Sequence, residues 1–172
     1  NVFDALRTRL DLTAFEFFTD RALHHVRAGQ GLPAPLDTGC PLYVIAEFDC
    51  PSEEQEEMAM TCFESCAEEG WLLDGVISQS DRQIADLWRY REGISESISH
   101  FPPYKNDLSV TVSRVPEFLR RMDRLIGDIC PDFEVVWYGH IGDGNLHMNI
   151  LKPAGLSLEE FEARLIGQNV SE

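Results

Sequence analysis

The sequence predicts an α+β fold: a ferredoxin-like, mostly antiparallel sheet with helices stacked on one face. Strand-like and helix-like segments alternate along the chain, and two strands that alternate strictly between apolar and polar residues meet at an Asp143-Gly144 turn. A chain of 172 residues with 44% hydrophobic residues can bury one sizeable core. We therefore expect the second sheet face to be free to meet a ligand or a further domain.

The elements of the first half follow from apolar spacing and from the residues at their ends. Large apolar residues at helical spacing predict a first helix, a Gly/Pro-rich stretch predicts a connection, and β-branched and aromatic runs predict strands. Ser52 caps the helix between the two strands, and Gly70 stops it. The predicted elements are a helix at 2–28, a connection at 29–41, a strand at 42–49, a helix at 52–69 and a strand at 71–78.

The second half continues the alternation and ends in the hairpin and one more helix. Ser80 or Asp81 caps a long helix that Pro102 and Pro103 end. Pro116 suits the first turn of the next helix. The predicted elements are a helix at 81–100, a strand at 107–113, a helix at 116–129, the two hairpin strands and a helix from about residue 157.

The hairpin places two histidines symmetrically about its turn. With Asp143-Gly144 as a two-residue loop, His140 faces His147, and Tyr138 faces Asn149 on the same side. Directly opposed residues have Cβ atoms roughly 4.5–5.5 Å apart. Such a pair of imidazoles is a start for a metal site, which needs at least a third ligand. A solvent-exposed pair and a buried, hydrogen-bonded pair are the alternatives.

Three further side chains are candidates for anion binding. Arg91 and Ser95 lie one helical turn apart on or beside the inward stripe of the long helix. A buried arginine must find an anion, which is either a substrate carboxylate or an acid of the protein. Lys105 precedes a strand, where it either binds substrate or stays solvated.

The composition argues against several classes of function. The net charge of −16 repels phosphate backbones and anionic lipid, so we expect no nucleic-acid partner. No apolar run approaches the roughly 18–20 residues of a membrane span, and no signal-peptide pattern is present, so we expect a cytoplasmic protein. The five cysteines lack the spacing of a disulfide framework, and we interpret Cys62 and Cys66 as small buried hydrophobic residues.

Four segments together carry a family resemblance. Residues 139–149, Gly-His-Ile-Gly-Asp-Gly-Asn-Leu-His-Met-Asn, resemble the signature of the C-terminal domain of FAD-linked oxidases. This family contains D-2-hydroxyacid dehydrogenases, such as those of D-2-hydroxyglutarate and D-lactate, and the glycolate oxidase flavin subunit. Residues 12–17, 87–94 and 104–109 resemble three other family segments in the same order. The resemblance covers nearly the whole chain.

The resemblance implies a substrate domain and its site. Residues 39–172 would form that domain, truncated at its C-terminal end, behind an N-terminal helical segment and linker at residues 1–38. His140 and His147 would ligate a divalent metal, usually zinc. The side chains implied to bind substrate are Arg91, Ser95, Lys105 and Asn149.

The resemblance also implies partners that this chain does not supply. FAD would be bound mainly by a flavin domain ahead of residue 1, which accepts hydride from a small 2-hydroxy acid; a homodimer is left open. The family's third metal ligand and catalytic histidine belong to a Glu-His-Gly motif that residues 151–172 lack. We therefore assign no catalytic or FAD-binding residue and expect the catalytic base to lie beyond Glu172. The chain should then be an inactive fragment, trimmed at both ends, with weak metal affinity.

The alternative function is a stand-alone ferredoxin-like module that binds a metal or another ligand without redox activity. The sequence does not choose among lactate, 2-hydroxyglutarate, glycolate and malate as substrate, although two cations, Arg91 and Lys105, suit a dicarboxylate.

Overall fold

The computed structural model describes residues 2–169, and the side chains of residues 2–165. The helices are α1 Val2–Arg7, α2 Asp20–Gln30, α3 Glu53–Glu68, α4 Asp81–Glu92, α5 Ile94–Ile98, α6 Val115–Ile129 and α7 Leu158–Asn169. The strands are β1 Leu12–Thr19, β2 Leu42–Phe48, β3 Tyr104–Ser109, β4 Glu134–His140 and β5 Asn145–Leu151. They form one antiparallel sheet in the order β2-β1-β4-β5-β3, which confirms the α+β class. Within the described residues, no helix is both long and apolar enough to cross a membrane.

Glu172 lies outside the described residues. The expectation that the catalytic base follows Glu172, and that the substrate domain is truncated there, therefore stays a prediction.

The largest difference from the prediction lies near the N-terminus, where β1 replaces the middle of the expected helix at 2–28. Aromatic and β-branched residues favour strands, and pairing on both sides outweighs the local helical spacing. Phe17 of β1 pairs with Val44 of β2 and with Gly139 of β4, and its side chain is fully buried. The expected helical segment at 1–38 is thus a helix, a strand and a second helix, and its strand lies inside the sheet.

The strand expected at residues 71–78 does not form. Its apolar side chains reach solvent, with Trp71 49% and Leu73 68% exposed, so no core holds the segment against the sheet. The Asp74 carboxylate accepts hydrogen bonds from the backbone N–H groups of Thr38 and Gly75. Such side-chain bonds compete with a strand ladder for the backbone.

The long helix expected at 81–100 is divided into α4 and α5 at Gly93. A Cβ atom at Gly93 would lie 2.8 Å from Cγ2 of Val26, so the glycine allows close approach to α2. A larger residue at position 93 would therefore keep the divided helix farther from α2.

Helices cover both faces of the sheet, whereas we expected them on one. Val135 and Trp137 of β4 pack into a core with α6 and α7, while Val136 and Tyr138 pack into a second core with α2, α4 and α5. Successive strand residues point to opposite faces of the sheet. A strand with apolar residues on both faces therefore needs helices packed on both faces to bury them.

Cys62 and Cys66 are buried, as we predicted for small hydrophobic residues, and Cys130 is buried as well. All are free thiols. Burial raises the pKa of the Cys66 and Cys130 thiols above the ordinary cysteine value, which keeps them protonated and unreactive.

Candidate functional site

The hairpin that carries the two histidines has a four-residue loop rather than the two-residue turn that we predicted. His140 pairs with Asn145, and His147 pairs with Tyr138, so the predicted register is wrong by two residues. Contacts outside the hairpin hold the wider loop. Gly142 donates a backbone hydrogen bond to β1, and the Gly144 carbonyl accepts one from residue 110.

The shift of two residues leaves both histidines on the same face of the sheet, because side chains alternate with a period of two. The ring centroids of His140 and His147 are 5.6 Å apart. Asp143 accepts a hydrogen bond from the backbone N–H of Asn145 at 2.9 Å, which confirms its role in the turn.

Each of the two imidazoles contacts a carboxylate through Nδ1. His140 Nδ1 lies 2.6 Å from Oε1 of Glu16, and His147 Nδ1 lies 2.5 Å from Oδ1 of Asp107. A carboxylate oxygen accepts, so Nδ1 donates and Nε2 keeps its lone pair in the neutral ring. Neither Nε2 atom has a hydrogen-bond partner in the part of the chain that the structure describes. Histidines that ligate metals usually have this arrangement.

Arg91 is buried and forms an ion pair with Glu16. The two side chains are about nine-tenths buried or more, and Arg91 Nε donates to Oε2 of Glu16 at 2.9 Å. The guanidinium carbon lies 4.8 Å from the centre of the Tyr138 ring. Its two terminal nitrogens make no hydrogen bond with any described residue. An acid of the protein is thus one partner of Arg91, and the outer part of the fork is left for another anion.

Five side chains from three strands and one helix form a closed ring of contacts. Glu16 joins Arg91 to His140 through its two oxygens, and Arg91 lies over Tyr138. The Tyr138 and His147 ring centroids are 5.1 Å apart, and the contact between the two histidines closes the ring. We call this set the five-residue ring. It holds both imidazoles in place from several directions.

The remaining predicted substrate residues lie together beside the five-residue ring. Lys105 of β3 pairs with Asn149 of β5, and its Nζ donates to Oγ of Ser95 at 3.4 Å. Lys105 has no carboxylate partner among the described residues. Asn149 is 1% exposed, and its Oδ1 atom has no hydrogen-bond partner within the described part of the chain. An unsatisfied buried acceptor costs about 1–3 kcal/mol, so this oxygen would gain from a donor supplied by a ligand.

The structure therefore brings all six predicted site residues to one side of the sheet. It adds two that the sequence analysis missed, Glu16 and Asp107. Glu16 lies inside a predicted helix. Two signals were available: its place in the segment at 12–17 that resembles the family, and its position between two aromatic residues that become buried. Asp107 is the first residue of a predicted strand and lies in the segment at 104–109 that resembles the family, but neither observation assigns it a role in the site.

No group of three or more His, Cys, Asp or Glu side chains within residues 2–165 is arranged to hold a metal ion. The two imidazoles are therefore a pair of candidate ligands rather than a complete site.

Comparison with known proteins connects the chain to one family. The family described as "FAD linked oxidases, C-terminal domain" matches residues 1–168. The chain is 56% identical over 160 residues to a D-2-hydroxyglutarate dehydrogenase of Stutzerimonas stutzeri (strain A1501), with 93% of this chain and 34% of that protein covered. It is 56% identical over 162 residues to one of Xanthomonas citri pv. viticola, with 94% and 34% covered. A mitochondrial D-2-hydroxyglutarate dehydrogenase of Arabidopsis thaliana is 33% identical over 162 residues, with 91% and 27% covered. The chain thus spans about a third of the length of these bacterial relatives.

Proposed function

Because the chain belongs to the family of FAD-linked oxidase C-terminal domains, we propose that it is the substrate domain of an FAD-dependent D-2-hydroxyacid dehydrogenase. The parent protein would oxidise a 2-hydroxy acid to a 2-oxo acid, with hydride transfer to FAD held mainly by a flavin domain outside this chain. The observation that carries the proposal is the convergence on one side of the sheet of two imidazoles, a buried arginine and a lysine without a described carboxylate partner. We also propose a cytoplasmic location for the parent protein.

We propose D-2-hydroxyglutarate as the substrate, since two bacterial relatives named for this activity are 56% identical to the chain. A dicarboxylate also suits the charges of the site. Arg91 has terminal nitrogens without a described partner, and Lys105 is a second cation that no described carboxylate neutralises. The Ser95 hydroxyl would donate to a substrate carboxylate oxygen, and Asn149 Oδ1 would accept from the substrate hydroxyl.

The donor set also suits a divalent metal ion such as Zn²⁺. His140 and His147 would bind it through Nε2, because Nδ1 of each ring already faces a carboxylate. A further protein ligand would come from outside the described residues. Such an ion, when bound, would supply Lewis-acid chemistry at the substrate hydroxyl. The chain's own contribution is to orient the two imidazoles.

The proposed function is tested by anaerobic flavin reduction in the full-length protein. We expect D-2-hydroxyglutarate to bleach the flavin faster than D-lactate does. Replacing Lys105 with methionine should raise KM for D-2-hydroxyglutarate by roughly 10- to 100-fold, because a hydrogen bond to a charged group is lost, and should affect D-lactate less.

The matched control is Lys152→Met, since Lys152 donates only to the carbonyls of Pro153 and Leu156 among the described residues. This variant should keep the wild-type KM. Failure of every 2-hydroxy acid to reduce the flavin would contradict the proposal.

The metal assignment is tested by zinc content. His140→Ala and His147→Ala should each lower the zinc affinity of the full-length protein. Loss of a residue that hydrogen-bonds to a metal ligand lowers affinity by roughly 10- to 100-fold, and we expect loss of the ligand itself to lower it further. Exposed His24 on α2 supplies the control, and His24→Ala should retain wild-type zinc. Equal zinc in all three variants would remove the assignment. Zinc binding at these histidines without flavin reduction would favour the module without redox activity.

A further inference from the structure

Glu16 is a buried carboxylate whose two oxygens serve two different groups of the site. It is 5% exposed, and its oxygens contact His140 Nδ1 at 2.6 Å and Arg91 Nε at 2.9 Å. We propose that Glu16 is a positioning residue for the reaction. It holds the proton of His140 on Nδ1, and it fixes Arg91 through Nε, which leaves both terminal nitrogens without a described partner. What those two side chains then bind rests on the proposed function.

The first argument is the chemistry of the three groups. Arg91 Nε can only donate a hydrogen bond, and a carboxylate can only accept one. One oxygen of Glu16 is therefore committed to the arginine, and the other sets the tautomer of His140. Nε2 is then the ring nitrogen with a lone pair, available to a metal ion or to a substrate proton.

The second argument is the position of Glu16 in the fold. It lies on β1, while His140 ends β4 and Arg91 lies near the end of α4. These partners are 124 and 75 residues away in the sequence. Among the described acids, Glu16 is the one that contacts both the guanidinium and the imidazole, so it fixes the position of one relative to the other.

A neighbouring glutamate shows what a structural role looks like. Glu47 of β2 accepts hydrogen bonds from Nε1 of Trp88 at 2.7 Å and from Oγ1 of Thr13 at 3.0 Å. One oxygen of Glu47 joins α4 to the sheet, and the other bonds to Thr13 of the neighbouring strand β1. Neither donor belongs to the five-residue ring. Glu47 is therefore the matched control.

The experiment uses Glu16→Gln in the full-length protein. The glutamine has nearly the same volume, and its amide oxygen must face Arg91 Nε, which only donates. Its NH₂ group then faces His140, whose Nδ1 must accept, so the proton moves to Nε2. The variant keeps the packing and the hydrogen bond of Arg91 and reverses the tautomer. Histidine-selective ¹⁵N NMR of the EDTA-treated protein reports that tautomer directly, and steady-state kinetics give kcat and KM.

We expect Glu16→Gln to move the His140 proton to Nε2 and to lower kcat/KM by about 10- to 100-fold. Glu47→Gln should change neither quantity. Wild-type kcat/KM in Glu16→Gln, or an unchanged His140 tautomer, would overturn the proposal. If the wild-type protein oxidises no 2-hydroxy acid, the proposed function fails, and the NMR measurement still decides whether Glu16 sets the tautomer of His140.

A second variant covers the case in which Glu16→Gln does not fold, as judged by circular dichroism. Glu16→Asp keeps the charge but is one methylene shorter, so it reaches one partner and not both. We expect the same loss of kcat/KM. Full activity in Glu16→Asp would overturn the proposal.

Discussion

Replacing Arg91 with alanine should lower the free energy of unfolding by about 3–5 kcal/mol and should also remove measurable turnover. The stability loss arises because Glu16, 5% exposed, would be left as a buried charge without its cationic partner. The contact of the guanidinium with the Tyr138 ring would disappear as well. Urea denaturation of the 172-residue chain measures the first effect, and flavin reduction in the full-length protein measures the second.

The control for this prediction lies two residues earlier in the same helix. Arg89 is half exposed and has a loose ion pair with Asp86 at 3.7 Å, so Arg89→Ala should cost under about 1 kcal/mol. Arg91→Lys should fall between the two, because it keeps the charge but lacks the planar fork. If Arg91→Ala were as stable as Arg89→Ala, the buried ion pair between Arg91 and Glu16 would contribute nothing measurable to the free energy of unfolding.

Replacing Gly144 with alanine should destabilise the hairpin that carries both histidines. Gly144 has φ +80°, where an L side chain is strained by about 1–3 kcal/mol. Its new Cβ atom would also lie 1.9 Å from the backbone oxygen of Val110, which cannot yield as a flexible side chain can. We expect a loss of at least that magnitude in free energy of unfolding, and reduced zinc binding as the loop moves.

Gly127→Ala provides a control of opposite sign. Gly127 lies in α6, and a Cβ atom added there would have no described neighbour within 4 Å beyond its own helix, so alanine should stabilise the chain by roughly 0.5–1 kcal/mol. Urea denaturation and bound zinc are measured for both variants. Equal stability of Gly144→Ala and the wild-type protein would show that the loop tolerates a shift away from Val110.

The polar face of the hairpin could be predicted from the sequence, although its register could not. Side chains of a strand point to the same face at every second residue. A register error of two residues therefore left His140 and His147 on the correct face. The loop length depends on contacts from Gly142 and Gly144 to β1 and to residue 110, which are distant in sequence. Local turn preferences contain no information about such contacts.

Glu16 is the opposite case, because the resemblance of residues 12–17 assigns it no role and the neighbouring residues do not show that it is buried. Its burial depends on the strand pairing of β1, and the helical spacing of the surrounding residues concealed that strand. The prediction of a strand at 71–78 is wrong for a related reason. Apolar residues form a strand only where a hydrophobic core can bury their side chains. The two possible partners of Arg91 were both reasonable, since a guanidinium has five N–H donors and can hold a protein acid and a further anion at once.

The distance along the chain between the members of the five-residue ring has a consequence for folding kinetics. Glu16 and His140 are 124 residues apart, and their neighbours Phe17 and Gly139 pair across β1 and β4. Closing a loop costs chain entropy that rises slowly with loop length, and this cost comes before the contacts that offset it. We therefore expect the helices and the β4–β5 hairpin to form first and the binding face to assemble last, so that a partly folded chain would present His140 without its carboxylate.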